Sequence, residues 1–246
     1  MVQKKKKGGR YTPPRKPRGQ QGYLSLGQTA GAFVPVELPR SKEDIEAIIV
    51  ARAMRNRSGG ERFLLDIEGD PIQNPEDDHD FTLRKPTGDE RLELVEITDP
   101  RGAGRPGSTR PPAGNAAFAD IVRGIILEKS RRYGLGRPDD PRRIHLLLYA
   151  TDLKWRVNES IQQILMAELA EANHGFLSVL LYEPDDETDG RVVELAPVDP
   201  AVLAAIPVDR LRARWTIQVD LSKARFHGDG TMRVPLNPPP DFQPPR

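Results

Sequence analysis

Apolar residues recur along the middle of this chain with two different periods, and the switches between them divide it into elements. After Ser41, placed to cap a helix, Ile45, Ile48, Ile49 and Ala53 repeat at the spacing of one helical face. Glu43, Asp44 and Glu46 come early in this helix and Arg52, Arg55 and Arg57 late, as its dipole favours. Ser58-Gly59-Gly60 ends it. Arg62 to Ile67 reads as a short strand and is followed by a turn-rich acidic stretch. Asp80 to Arg84 and Arg91 to Thr98 then read as two strands joined by a turn over Lys85 to Asp89, and so paired antiparallel. Asn115 is placed to cap a second helix that runs to Tyr133 and stops at Gly134, and Ile144 to Tyr149 has the nearly unbroken apolar run of a strand buried on both faces. A third helix over Val157 to Asn173 gathers Ile161, Ile164, Leu165 and Leu169 on one side, before another buried strand from Phe176 to Tyr182. The order α, β, β, β, α, β, α, β predicts an α/β domain over residues 41–196, with a central mixed sheet flanked by helices. Val192 to Leu195 reads as its edge strand. Residues 197–236 form an extension with a short helix (Pro200 to Leu211) and a hairpin (Arg214 to Leu221 with Thr231 to Leu236), and 237–246 a Pro-rich tail.

The ends differ from the middle. Residues 1–40 are rich in Gly, Pro, Gln and basic side chains and read as a disordered arm. Lys4, Lys5, Lys6, Lys7, Arg10, Arg15, Lys16 and Arg18 give the first 20 residues eight cations and no acid. Of 37 basic and 36 acidic residues, 29 and 36 are thus left for the remainder, a formal charge of −7 hidden beneath a net +1. A flexible basic arm neutralises phosphates by releasing counterions, which supplies affinity without reading sequence. The Gly-, Pro- and Arg-rich loop from Asp99 to Gly114 adds Arg101, Arg105 and Arg110. Nucleic acid is therefore the expected partner.

Other classes recede. No apolar run reaches the ~20 residues of a membrane span, no apolar segment follows the N-terminal lysines as in a signal peptide, and the absence of cysteine excludes disulfides, thiol nucleophiles and Cys-based zinc sites. A cytoplasmic location is expected. There is no P-loop, no dinucleotide-binding glycine motif and no nucleophile with a positioned base. His79, His145, His174 and His227 lack metal-ligand spacing, and Trp155 sits in a strand-exit loop where an aromatic either covers a site or closes the core.

Acidic residues carry the candidate chemistry. Asp80 opens one strand of the expected hairpin and Glu96 lies near the end of the next, so tight pairing would bring two carboxylates to one sheet edge. Hard oxygen ligands of this kind suit Mg²⁺ or Mn²⁺, which polarises a phosphate and generates hydroxide. Strand parity allows only one of Glu93 and Glu96 on a given face. Glu96 is preferred, for its place beside the strand exit where ligands of α/β sheets gather.

The segments Asp77-Asp78-His79-Asp80-Phe81 and Leu92-Glu93-Leu94-Val95-Glu96-Ile97-Thr98, in this strand order, resemble the core of the PD-(D/E)XK nucleases over roughly residues 41–182. The resemblance implies a restriction-endonuclease-like αβββαβ fold and metal-dependent hydrolysis of phosphodiester bonds in DNA or RNA, with Asp80 and Glu96 as metal ligands. A histidine replaces the proline before Asp80, and Thr98 (Val95, counting from Glu93) stands where the family has its lysine. Members with a displaced lysine supply it from the following helix. Lys129 is the candidate here, because the stripe of Phe118, Val122 and Ile125 reaches it. Glu46 resembles the extra acid that many members add to the metal shell, with Glu43 and Glu68 as competitors. A degenerate nuclease would also lack the acid-x-lysine, which leaves a non-catalytic nucleic-acid-binding or assembly protein of a phage or mobile element as the alternative.

Overall fold

The computed structural model describes residues 21–26, 31–36, 39, 41–55, 67–74, 79–98, 112, 114–135, 143–152, 155–184, 190–214, 225–226 and 232–233. Its centre is a six-stranded mixed sheet in the order β3 (Ile72–Gln73), β4 (Phe81–Leu83), β5 (Glu90–Glu96), β6 (Ile144–Tyr149), β7 (Ser178–Pro184) and β8 (Gly190–Ala196). β5, β6 and β7 run parallel, while β4 and β8 are antiparallel to their neighbours. The helices are α1 (Lys42–Arg55), α2 (Asn115–Tyr133) and α3 (Glu159–Glu171).

Parallel neighbours need crossovers, and right-handed crossovers that step the same way across a sheet put their helices on one face. Accordingly α2 and α3 bury Phe118, Val122, Ile126, Ile161, Leu165 and Leu169 against the Val95, Leu146, Leu148, Val179 face. The opposite face, with Leu92, Leu94, Leu147, Tyr149 and Leu180, is covered by Ile45, Ile49 and Ala53 of α1. β6 is buried at every residue, which is why its sequence shows no alternation. The end of α2 is set by Gly134, whose φ of 63° closes the helix with a left-handed residue. At Gly190 a Cβ would stand 2.5 Å from the Tyr182 ring, so the start of β8 is restricted to glycine.

Several elements differ from the sequence reading. Residues 61–66, most of the strand expected at Arg62 to Ile67, lie outside the described residues, and Ile67 is not in a strand. The third antiparallel strand is Ile72–Gln73, two exposed residues too few to show a period. Asn115 does not cap α2: Gly114 holds that position without a side-chain bond, and buried Asn115 donates to the Leu211 carbonyl instead. The arm is not wholly irregular, since β1 (Gln21–Leu26) and β2 (Gly31–Val36) pair antiparallel. Short runs containing Tyr23, Leu24, Phe33 and Val34 suit a hairpin even within a Gly- and Pro-rich composition. The C-terminal helix is two short ones, α4 (Pro200–Ala204) and α5 (Val208–Arg212), and α5 joins the body through buried Leu211 and through Arg212, paired with Glu168 and with Asp120 at 3.4 Å. Most of the expected hairpin at 214–236 lies outside the described residues; within the described ones, β9 (Arg225–Phe226) pairs antiparallel with β10 (Met232–Arg233). Among the described residues no helix is long and apolar enough to cross a membrane.

Candidate active site

β4 begins only at Phe81, opposite Leu92, so among the described residues the second half of β5 has no strand on that side. The backbone donor this exposes is satisfied by a side chain: Leu94 N–H donates to Asp80 Oδ2 at 2.7 Å. One register step beyond Phe81, Asp80 stands across from Glu93. A carboxylate at an open edge can interact with groups above and below the sheet, and Asp80 does so.

On the α1 face, Lys42 Nζ lies 3.0 Å from Glu46 Oε1 and 3.9 Å from Asp80 Oδ1. Glu46 is buried and also accepts from Tyr149 O–H at 3.0 Å. Burial, then the charge of Asp80, push the Glu46 carboxyl up to about 7 despite Lys42 and Tyr149. Lys42 is held above its usual range by Glu46 and Asp80, against the pull of burial. Glu96 is on this face, where it accepts from Thr151 Oγ1, and burial raises its pKa.

On the α2 face, buried Glu93 is ion-paired with Lys129 through Oε1 and accepts from Tyr133 O–H through Oε2 at 2.7 Å. Lys129 and Tyr133 are one turn apart on α2 and the ammonium lies 5.8 Å from the Tyr133 ring centroid. Burial and the charge of Asp80 raise Glu93, and Lys129 and Tyr133 oppose the rise.

The structure thus brings Glu46 and Asp80 together on one side of the open edge, and Glu93 and Lys129 on the other, next to Asp80. Lys129 is directed to Glu93, not to the preferred Glu96, because odd-numbered β5 residues face α2. Of the competitors of Glu46, Glu68 is exposed and Glu43 contributes its backbone carbonyl to Gln73. Lys42 was missed, and its position one helical turn before Glu46 was the available signal; Tyr133 is the residue that the sequence places one turn beyond Lys129. Lys4, Lys5, Lys6, Lys7, Arg10, Arg15, Lys16, Arg18, Arg101, Arg105 and Arg110 all lie outside the described residues. Trp155 closes the core, edge-on to Phe118 at 5.6 Å.

Among the described residues, no three His, Cys, Asp or Glu side chains are grouped to hold a metal ion in this arrangement, in which Lys42 bridges Glu46 and Asp80 and Lys129 is paired with Glu93. The donor type is nevertheless that of a hard divalent cation: the ligands would be carboxylate oxygens, and those of Glu46 and Glu93 are raised by burial and then by the charge of Asp80.

A second cluster lies at the other end of β5, on the α1 face. Buried Glu90 accepts from Lys85 at 2.6 Å, Arg143 at 2.5 Å and His145 at 2.8 Å, and His145 Nδ1 lies 2.8 Å from Ser178 Oγ. Although burial would raise it, these donors hold the Glu90 carboxyl down at about 2. Burial lowers His145, so the ring is neutral at pH 7; with a carboxylate at Nε2, that nitrogen carries the proton and Ser178 donates to Nδ1.

No protein-family model matches the chain, and neither a curated protein nor a solved structure matches it.

Proposed function

We propose that this protein hydrolyses phosphodiester bonds in DNA or RNA with the help of a divalent cation, on a restriction-endonuclease-like fold. The observation that supports this reading best is Asp80 at the open edge of β5, flanked by Glu46 from α1 and Glu93 from its own sheet, with a lysine from a helix on each face. Asp80, Glu93 and Glu46 would hold the ion, and Glu96 is the remaining carboxylate at that end of the strand. Bound Mg²⁺ or Mn²⁺ supplies Lewis-acid polarisation of the phosphate and a more acidic water. Lys129, stationed on Glu93, orients water and offsets charge on the phosphoryl oxygens. Tyr133 fixes the second oxygen of Glu93. The basic arm and the Arg101 to Arg110 loop would hold the nucleic-acid backbone in a salt-dependent manner.

The test is cleavage of single-stranded and duplex DNA and RNA with Mg²⁺ or Mn²⁺, alongside thermal melting. An ion at ~100 times its dissociation constant adds about 2.7 kcal/mol of stability. Asp80→Asn and Glu93→Gln are expected to lose both the stabilisation and cleavage, and Lys129→Met to lose cleavage alone. If Glu96→Gln removes metal stabilisation and Glu93→Gln does not, the ligand assignment reverts to Glu96. A non-catalytic nuclease-like protein that binds nucleic acid or serves in assembly is the second reading, favoured by the engagement of both lysines with carboxylates. Metal stabilisation without cleavage of any substrate would establish it over the first.

A further inference from the structure

Among the described residues Lys42 is the cation paired with Asp80, and its placement is unusual in two respects. It lies in the first turn of α1, where the helix dipole disfavours positive charge. Its ammonium also sits between two carboxylates from separate elements, 3.0 Å from Glu46 and 3.9 Å from Asp80, while Glu93 adds to the negative field around it. The acids are fixed: Glu46 is 4% and Asp80 23% exposed at the side chain, Glu46 is held by Tyr149, and Asp80 is held by the Leu94 N–H. Lys42, 39% exposed on a four-carbon stem, has among the described residues only these acids as ion-pair partners and can turn out to solvent.

We propose that Lys42 is an exchangeable internal counter-cation, which occupies the space between Glu46 and Asp80 in the metal-free protein and is displaced when a divalent cation binds there. This rests on the metal-site reading above and deepens it. An ammonium and a divalent ion between the same two carboxylates repel one another, so one must leave, and the ion of higher charge gains more from the pair. The displaced lysine remains at the rim, one helical turn from Glu46, within reach of a phosphate oxygen that approaches the metal. The excess negative charge of the site is thereby partly offset without metal, and its second lysine is released to the substrate side only when metal is present.

Magnesium titration of the full chain by calorimetry and thermal melting tests this, with Lys42→Met and Lys42→Arg compared with wild type. Removal of the competing charge is expected to tighten Mg²⁺ binding about tenfold in Lys42→Met. The melting temperature of this variant should fall without metal and recover at saturating Mg²⁺, while Lys42→Arg, which keeps the cation, should bind Mg²⁺ as wild type does. Unchanged or weaker Mg²⁺ binding in Lys42→Met, beside wild-type protein that binds it, overturns the exchange and leaves the metal site standing. Magnesium binding that appears only in Lys42→Met supports the exchange. No binding by any of the three proteins overturns both.

Discussion

The two ends of β5 hold the same chemical group in opposite states. Glu90 and Glu93 are three residues apart and both buried, yet the carboxyl of Glu90 is driven down to about 2 while that of Glu93 is raised. The difference lies in donor supply. Glu90 has Lys85, Arg143 and His145 around one carboxylate, so charge is over-compensated and the group acts as an anchor between the β4–β5 turn and the starts of β6 and β7. At the other end, Glu46, Asp80 and Glu93 share Lys42 and Lys129, so negative charge is left in excess. Burial of unbalanced carboxylates opposes folding unless something else uses them. A saturated cluster reads as structure and an unsaturated one as a site.

The anchor should give the largest response. Glu90→Gln removes the charge that three donors converge on and leaves Lys85, only 10% exposed at its side chain, without a counter-ion. The expected destabilisation is about 3 kcal/mol, at the low end for a broken buried pair because Arg143 is 57% exposed and can turn to water. Chemical denaturation at pH 7 measures it, and a loss below about 1 kcal/mol would place Glu90 among ordinary surface acids.

The site should respond with the opposite sign. A carboxyl raised to about 7 favours the folded state below its unfolded pKa near 4.5, and that contribution is lost as pH rises through 7. Glu46→Gln removes the ionisation penalty, so at pH 8 in the absence of divalent metal it is expected to stabilise the fold by about 2–3 kcal/mol, with no gain below pH 4.5. The anchor runs the other way. Glu90 contributes above pH 4.5 and loses its contribution as pH falls towards 2, and depressed His145 costs stability as pH falls below 6.5. In wild type the slopes of Glu46 and His145 oppose between pH 4.5 and 7. Melting profiles of Glu46→Gln should therefore lose part of the wild-type decline in stability with rising pH across that window, to which raised Glu93 and Glu96 still contribute, and a profile parallel to wild type would contradict the raised Glu46.

This contrast also explains which parts were legible in the sequence. Apolar period alone located α1, α2, α3, β6 and β7, because each buries a full stripe or run. It drew Lys129 inward through the stripe of Phe118, Val122 and Ile125, of which Phe118 and Val122 are buried, although in the next turn the fully buried residue is Ile126 and Ile125 is only half-buried. It could separate Glu93 from Glu96 by face but could not tell which face receives Lys129, because that depends on which side of the sheet the crossover from β5 to β6 passes. Nor could it foresee an open edge, a consequence of β4 being three residues long. The anchor was hidden for a different reason. It joins Glu90, His145 and Ser178 through the parallel register of three strands far apart in sequence, and each residue alone stands at the polar end of an apolar run.

The smallest effect discriminates most finely, because Glu93 lies between the two classes: like Glu90 it has more than one donor, and like Glu46 it is raised. Tyr133 supplies one of its two side-chain hydrogen bonds at 2.7 Å, and Lys129 supplies the other. If Glu93 belongs to the under-compensated site, removing the tyrosine hydroxyl deletes a single hydrogen bond to a group already prone to take up a proton. Tyr133→Phe should then cost only about 1 kcal/mol at pH 7, and less at pH 5 where Glu93 more readily protonates. If Glu93 were instead an anchor like Glu90, the ionised carboxylate would depend on its full donor set and the loss would approach about 3 kcal/mol, growing as pH rises. Denaturation of Tyr133→Phe at both pH values separates these outcomes without reference to activity. A large, pH-increasing loss would move Glu93 out of the candidate site and leave Asp80, Glu46 and Glu96 as its carboxylates.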